Sequence, residues 1–411
     1  MTAQAPIRTG APIRFGEFVA LIACLFALGA LGIDAMLPAL PDIGRSLDVA
    51  DPNARQFVIT AFLAGFGVAQ LVHGPLADRF GRRRVLLWAM GVYAVANGLA
   101  AVSGSFQLLL AARVLGGVAI AATRVATTAM VRDCYQGAGM ARVMSIAFMV
   151  FMIVPILAPA LGQAVLEFAD WRAIFWVIAG LSALLFAWFW ARMPETLAPE
   201  DRRPIRVGPV VDGWRRTLGD WLSLGYTLAT TALMGGLYGY LNSVQQIMFD
   251  TFRRPELLAG VFAGTAATMA VANLFNARIV MRVGTRVLGH GAVIGLAVIA
   301  ALHLALVELG HETLWTFAIL QALTMACFGL ASANFQSIAM TNMGPIAGTA
   351  SSVQGFASVT AGAAIGAVIG QAYDGTTAPL SVGFMAAGLA ALLFVALTER
   401  GRLMKRGTAG P

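Results

Sequence analysis

The stretch Gly74-Pro-Leu-Ala-Asp-Arg-Phe-Gly-Arg-Arg-Arg84 lies between two long apolar blocks and organises the reading of the whole chain. Gly74 permits close approach of neighbouring helices, and Gly81 permits a tight turn. Asp78, at a helix end, can pair with a nearby Arg or with the N-terminus of a neighbouring helix. Arg79, Arg82, Arg83 and Arg84 suit a loop held at a membrane surface. A weaker copy, Ala277-Arg-Ile-Val-Met-Arg-Val-Gly-Thr-Arg286, follows a later apolar block. On overlay, Arg79 and Gly81 fall on Arg282 and Gly284, while Asp78 falls on Met281. A repeat at corresponding positions marks a chain built from two related halves.

Working outward, the blocks around these loops are too apolar for a soluble protein. Of 411 residues, 59% are hydrophobic and 12% charged, against about 25% charged in an ordinary soluble chain. Blocks such as Phe15–Met36 and Trp171–Trp190 reach the roughly 20 residues that cross a bilayer. Apolar blocks against polar breaks predict twelve spans: 15–37, 54–76, 85–103, 106–131, 142–166, 171–192, 221–247, 257–280, 287–307, 313–340, 350–372 and 379–398. The fold class expected is all-α and integral to the membrane, with twelve transmembrane helices in two six-helix halves. The divisions are an N-terminal half 1–193, a middle loop 194–220, a C-terminal half 221–398 and a basic tail 399–411. Met1 to Phe15 is not read as a cleavable signal, since the following run is too long and lacks a small-residue cleavage site.

The net charge of +8 is a topology signal. All 28 basic residues except Lys405 are Arg. With the N-terminus inside, 21 fall in cytoplasmic segments, 5 outside (Arg45, Arg55, Arg172, Arg253, Arg254) and 2 within spans. That bias places both termini in the cytoplasm. No basic stripe with interleaved aromatics points to nucleic acid. Cys24, Cys134 and Cys327 show neither metal-ligand spacing nor a disulfide framework. His73, His290, His303 and His311 stand alone near span ends, and no Ser/His/Asp arrangement or phosphate loop is present, so an enzyme is not expected. No metal and no cofactor are expected.

The 74–84 loop resembles the loop signature of the major facilitator superfamily. Three further stretches resemble its twelve-helix drug:proton antiporters, in the bicyclomycin- and chloramphenicol-resistance branch. They are Asp34-Ala-Met-Leu-Pro-Ala-Leu-Pro41, Arg113-Val-Leu-Gly-Gly117 and Pro155-Ile-Leu-Ala-Pro-Ala-Leu-Gly162; Arg132-Asp133 also matches. The antiporter motif is altered, with Ala158 before the second Pro and Gln163 after Gly162 where Gly is usual. The resemblance implies a cytoplasmic latch of Gly74, Asp78, Arg79, Gly81, Arg82 and Arg83, and a bent antiporter helix around Pro155, Pro159 and Gly162. It implies export of drugs or other small amphipathic molecules across the bacterial inner membrane, by alternating access and driven by the proton gradient. The rival reading on the same scaffold is a facilitator or proton symporter of a small metabolite.

Charges inside spans are costly, about 2.5–3.5 kcal/mol or more each, and are candidates for function. Those read as lying within spans are Asp34, Arg113 and Arg124. Asp34 and Arg113 could approach at similar depth. Arg113 and Arg124, eleven residues apart, are about 20° from sharing a helix face and are expected to face one cavity. Proton and substrate would then compete at Asp34, with Arg113 tuning it or receiving anionic groups. A pocket between the halves would draw on Met149, Met152, Tyr238, Asn242, Gln245, Asn273, Asn334, Gln336 and Gln354, since an intramembrane amide needs a partner and points inward. Partners are the small-molecule substrate, protons and the lipid bilayer, with each chain expected to work as a monomer.

Overall fold

The computed structural model describes residues 10–135, 137–202 and 207–404. Arg8, Arg203, Arg206, Lys405 and Arg406, and with them most of the expected basic tail, lie outside the described residues. Among the described residues there are twelve helices of 20 residues or more. They are α1 (Phe15–Asp34), α2 (Phe57–Phe80), α3 (Arg82–Ala101), α4 (Phe106–Cys134), α5 (Gly137–Leu166), α6 (Arg172–Arg192), α7 (Trp221–Gln246), α8 (Leu258–Val283), α9 (Thr285–Glu308), α10 (Leu314–Ala339), α11 (Ala347–Gln371) and α12 (Ala378–Thr398).

Ten of the segments, counted on the described residues, are long and apolar enough to cross a membrane. The other two are α5 and α7. Part of α5 is not described, leaving Ile153–Leu166 as its apolar portion. In α7 a run of Thr, Tyr, Asn and Gln lowers the hydropathy, and those side chains are buried. A helix with so many polar residues belongs inside a bundle, where neighbours supply the hydrogen bonds that lipid cannot.

Packing repeats with an offset of six helices. α2 and α3 pack on α4, α3 packs on α6, and α1 packs on α5, α4 and α6. In the same way α8 and α9 pack on α10, α9 packs on α12, and α7 packs on α11, α10 and α12. The two bundles meet chiefly through α2 on α11 and α5 on α8, pairs that exchange under the same offset. This is a pseudo-two-fold arrangement, and its axis runs between the bundles.

The loops read as a repeat share their backbone. Gly81, with φ 95° and ψ 150°, both ends α2 and starts α3. Gly284, with φ 96° and ψ 147°, does the same between α8 and α9. A side chain is strained at such φ values, so glycine makes each turn without an intervening loop. Both turns lie on one face of the molecule, called here the arginine-rich face.

The middle segment, expected as a loop, contains a helix at Val207–Gly219. Val207, Val211, Trp214 and Leu218 recur at helical spacing on an otherwise polar stretch, which makes the helix amphipathic and too short to span. Its Gly213 sits against Thr349 of α11.

Candidate functional site: a cavity between the bundles

A cavity of about 450 Å³ lies between the bundles, in the half of the molecule nearer the arginine-rich face. The first bundle contributes Arg124 of α4 and Pro155 of α5; the rest of the wall comes from α7, α8, α10 and α11. Of the residues expected to line a pocket, Tyr238, Asn273, Gln336 and Gln354 stand on this wall. The hydroxyls of Thr227 and Thr230, also on the wall, donate to the carbonyls of Ser223 and Tyr226 one turn back. Gln354 donates to the Ser223 hydroxyl (3.0 Å) and the Ala339 carbonyl (3.2 Å), which fixes its side chain. The Asn273 Oδ1 is buried and accepts no hydrogen bond among the described residues. Gln336 and Arg124 are exposed, so the wall presents one cationic group, free amides and adaptable Met234 and Met269.

The remaining pocket candidates lie off this wall. Asn242 and Gln245 are buried farther along α7; among the described residues neither amide atom of Asn242 and not the Nε2 of Gln245 has a partner. Asn334 donates to Asn276 Oδ1 at 2.8 Å and to the Leu330 carbonyl. Met149 is half exposed on α5. The side chain of Met152 lies outside the described residues.

Asp34 and Arg113 do not pair. Arg113 is buried within the first bundle, where its Nε donates to the Val58 carbonyl (3.1 Å) and its Nη2 to the Gly32 carbonyl (2.9 Å). Its guanidinium lies over the Phe62 ring, 4.4 Å from the centroid. Of Arg113 and Arg124, expected to face one cavity, only Arg124 reaches it. At the depth of Arg113, α1 and α2 close over α4 and supply the carbonyls that hold it.

Asp34 ends α1 and is 5% exposed, with no ion pair or hydrogen bond among the described residues. The chain continues beyond it through a short 3-10 segment at Leu37–Ala39. A Cβ added at Gly162 would fall on the Ala35 carbonyl and within 3.0 Å of the Pro38 ring. Pro155 on the cavity wall and Gly162 against the Asp34 turn are thus two ends of one proline-bent stretch of α5.

The groups of the 74–84 loop bind within the first bundle. Arg82 donates to Asp78 (2.6 Å) and to Asp133 (3.2 Å). Thr196 also donates to Asp133. The Glu195 carboxylate, which the sequence reading did not single out, accepts from the backbone amides of Arg82, Thr196 and Leu197. A Cβ at Gly81 would collide with that carboxylate.

On the far face the bundles are tied together by amides. Asn53 Nδ2 donates to the carbonyls of Gln371 (3.2 Å) and Tyr373 (3.0 Å), and Gln371 Nε2 donates back to the Asn53 carbonyl (2.7 Å). Gln246 Nε2 donates to Asn53 Oδ1 at 2.7 Å. Gln56 donates to Gln246 and, at 3.0 Å, to the Gly370 carbonyl. Sequence reasoning missed this clasp. The available signal was the recurrence of Asn and Gln at span ends, at positions 53, 56, 246 and 371.

Comparisons with known proteins follow this geometry. A family model described as Major Facilitator Superfamily matches residues 22–370. The chain is 29% identical over 386 residues to an uncharacterized MFS-type transporter, YdgK, of Bacillus subtilis (strain 168), covering 92% of this chain and 94% of that one. It is 28% identical over 364 residues to a bicyclomycin resistance protein homolog of Haemophilus influenzae, covering 88% and 91%. Among solved structures, the peptide transporter POT in complex with sulfate matches with a TM-score of 0.73 at 15% identity, over 98% of this chain and 99% of that one. At that identity the likeness is one of fold.

Proposed function

Because the chain belongs to the major facilitator superfamily, we propose that it works by alternating access, with its two bundles rocking about the cavity between them and cargo movement linked to protons. It is a multi-pass integral membrane protein and a secondary transporter of small molecules, and it is not an enzyme. The observation that carries the proposal is the cavity of about 450 Å³ between bundles that, among the described residues, are clasped by hydrogen bonds on the far face.

In this reading all twelve helices cross the membrane, as two six-helix halves at 1–193 and 221–398 joined through 194–220, with the tail from 399. The arginine-rich face is cytoplasmic and the membrane is a bacterial inner membrane, in keeping with the charge bias and the bacterial relatives. The conformation is then inward-facing. Asp78, Arg82 and Asp133 pair within one bundle because the latch is released. One chain carries both bundles and serves as the working unit. Asp34 is the proton site: a buried carboxyl with no cation beside it is stable in the dry interior when protonated. Gly162 couples it to the wall at Pro155. Arg113 holds α1 and α2 in place through their carbonyls, and Arg124 faces the cargo.

Two cargo readings differ in direction. Export of drugs or other amphipathic molecules in exchange for protons draws on the Pro155, Pro159 and Gly162 pattern and on the relative named as a bicyclomycin resistance protein homolog. Uptake of a small polar metabolite, alone or with protons, draws on the cavity wall itself, where Asn273, Asn276, Gln336 and Gln354 suit hydrogen-bonding cargo. Inverted vesicles with an imposed pH gradient separate them. With export, ethidium or chloramphenicol accumulates inside and its addition releases lumenal protons. With symport, a sugar or peptide panel moves together with protons instead. If neither panel moves protons nor responds to the gradient, the proton linkage is wrong.

A further inference from the structure

A second cavity, of about 470 Å³, lies away from the transport path, where the ends of α2, α3 and α6 meet on the arginine-rich face. It falls within the roughly 300–1,000 Å³ typical of small-ligand sites. Four arginines line it: Arg83, Arg84, Arg192 and Arg202. Arg83 is fixed by donating to the carbonyls of Met193 (2.6 Å) and Trp190 (2.7 Å). Arg192 is paired with Glu17 at 2.7 Å. Glu195, the carboxylate in the cavity, is occupied by backbone amides. The guanidinium groups of Arg84 and Arg202 have no hydrogen bond or ion pair among the described residues, and both residues are exposed. The cavity therefore carries an excess of two positive charges, one guanidinium locked in place and two uncommitted.

Its rim is aromatic. Trp190 is 61% and Phe80 41% exposed, at the ends of apolar helices where a bilayer changes from hydrocarbon to headgroup. Indole rings favour that level, with their apolar body in the acyl region and their N–H toward the headgroups. A cationic pocket with such a rim offers charge to a phosphate and apolar surface to the chains attached to it. A soluble anion would use only the first. The geometry points to a site for an anionic phospholipid, held by its phosphodiester at Arg84 and Arg202 with its glycerol end along Trp190 and Phe80. Through Arg83 and Glu195 the headgroup would sit directly behind the turn at Gly81.

Native mass spectrometry of the full chain in detergent, with phosphatidylglycerol or phosphatidylcholine added, tests the assignment. Phosphatidylglycerol adducts should survive activation and phosphatidylcholine adducts should not. The double variant R84Q/R202Q should bind phosphatidylglycerol about thirtyfold more weakly, about 1 kcal/mol for each charge removed. Both side chains are exposed, and the melting curve of the lipid-free variant checks that it still folds. Each single variant, and the loss of wild-type binding with added salt, gives an independent reading. Equal retention of the two lipids, or unchanged phosphatidylglycerol binding by the double variant, would overturn the site. Displacement of the lipid by millimolar inorganic phosphate or glycerol phosphate would overturn the lipid assignment in favour of a soluble anion.

Discussion

Replacing Asn53 by Ala should open the far face of the molecule. The side chain of Asn53 makes three of the bonds that join the bundles there: two from Nδ2, to the Gln371 and Tyr373 carbonyls, and one into Oδ1 from Gln246. The bond into its backbone carbonyl from Gln371 survives the substitution, as does the local turn in which its amide donates to Asp51. Each bond contributes a net of about 0.5–1.5 kcal/mol, because water replaces it when the bundles part. Three together amount to about 1.5–4.5 kcal/mol, which shifts the ratio of open to closed far faces roughly ten- to a thousandfold. Spin labels at A50C and A372C, exposed positions on opposite sides of the clasp, report the separation by pulsed electron resonance. The background replaces the cysteines Cys24, Cys134 and Cys327. The parent should give one short distance, and N53A should add a longer one. An unchanged distance distribution, with or without a fall in thermal stability, would show that these bonds order a loop and do not hold the gate.

Other substitutions probe the remaining parts of the site. Asp34→Asn should leave the protein in the membrane but make transport in vesicles indifferent to the pH gradient; normal coupling in that variant refutes the proton site. Gly162→Leu forces a side chain against the backbone carbonyl of Ala35, where no flexible side chain can yield, and should lower stability by about 1–3 kcal/mol; an unaltered melting temperature would mean that α1 and α5 can separate freely. Arg113→Met removes the charged donor that reaches the Gly32 and Val58 carbonyls, about 1.5–3 kcal/mol for each bond. Arg113→Lys, which can still donate, should melt higher than Arg113→Met. Arg124→Gln should reduce transport of anionic probes relative to neutral ones of similar size, and equal effects on both would remove Arg124 from the cargo surface.

The helices were legible because a bilayer leaves little freedom. The expected span 106–131 corresponds to Phe106–Cys134 and 171–192 to Arg172–Arg192, since both are bounded by charge or by turn residues. The first span, expected at 15–37, is α-helical over Phe15–Asp34 and runs on through the 3-10 segment that carries Pro38, within one apolar segment Phe15–Ser46. The short helix at 207–219 was hidden in a polar stretch because hydropathy alone does not register one apolar stripe. At the site, periodicity placed Arg113 and Arg124 on one face but could not show how far the cavity extends along it. Nor could it show that Arg113 is satisfied by two carbonyls, since any residue type supplies a carbonyl. The clasp escaped for a related reason: Asn53, Gln56, Gln246 and Gln371 come from three distant parts of the chain and bond largely to backbone.

The chemistry of that clasp has a consequence for how the carrier senses its surroundings. Its donors and acceptors are neutral amides and carbonyls; the one ion pair between bundles nearby, Arg55 with Asp250 at 3.7 Å, is loose and half exposed on its acidic side. Neutral amides neither titrate nor attract a counterion atmosphere, so closure of this face is nearly indifferent to the acidity and salinity of the medium it meets. A gate built from carboxylates would weaken or lock with every change in that medium. Here the barrier to opening stays constant, and under the proposed proton linkage the response to acidity falls to Asp34, the one buried carboxyl among the described residues.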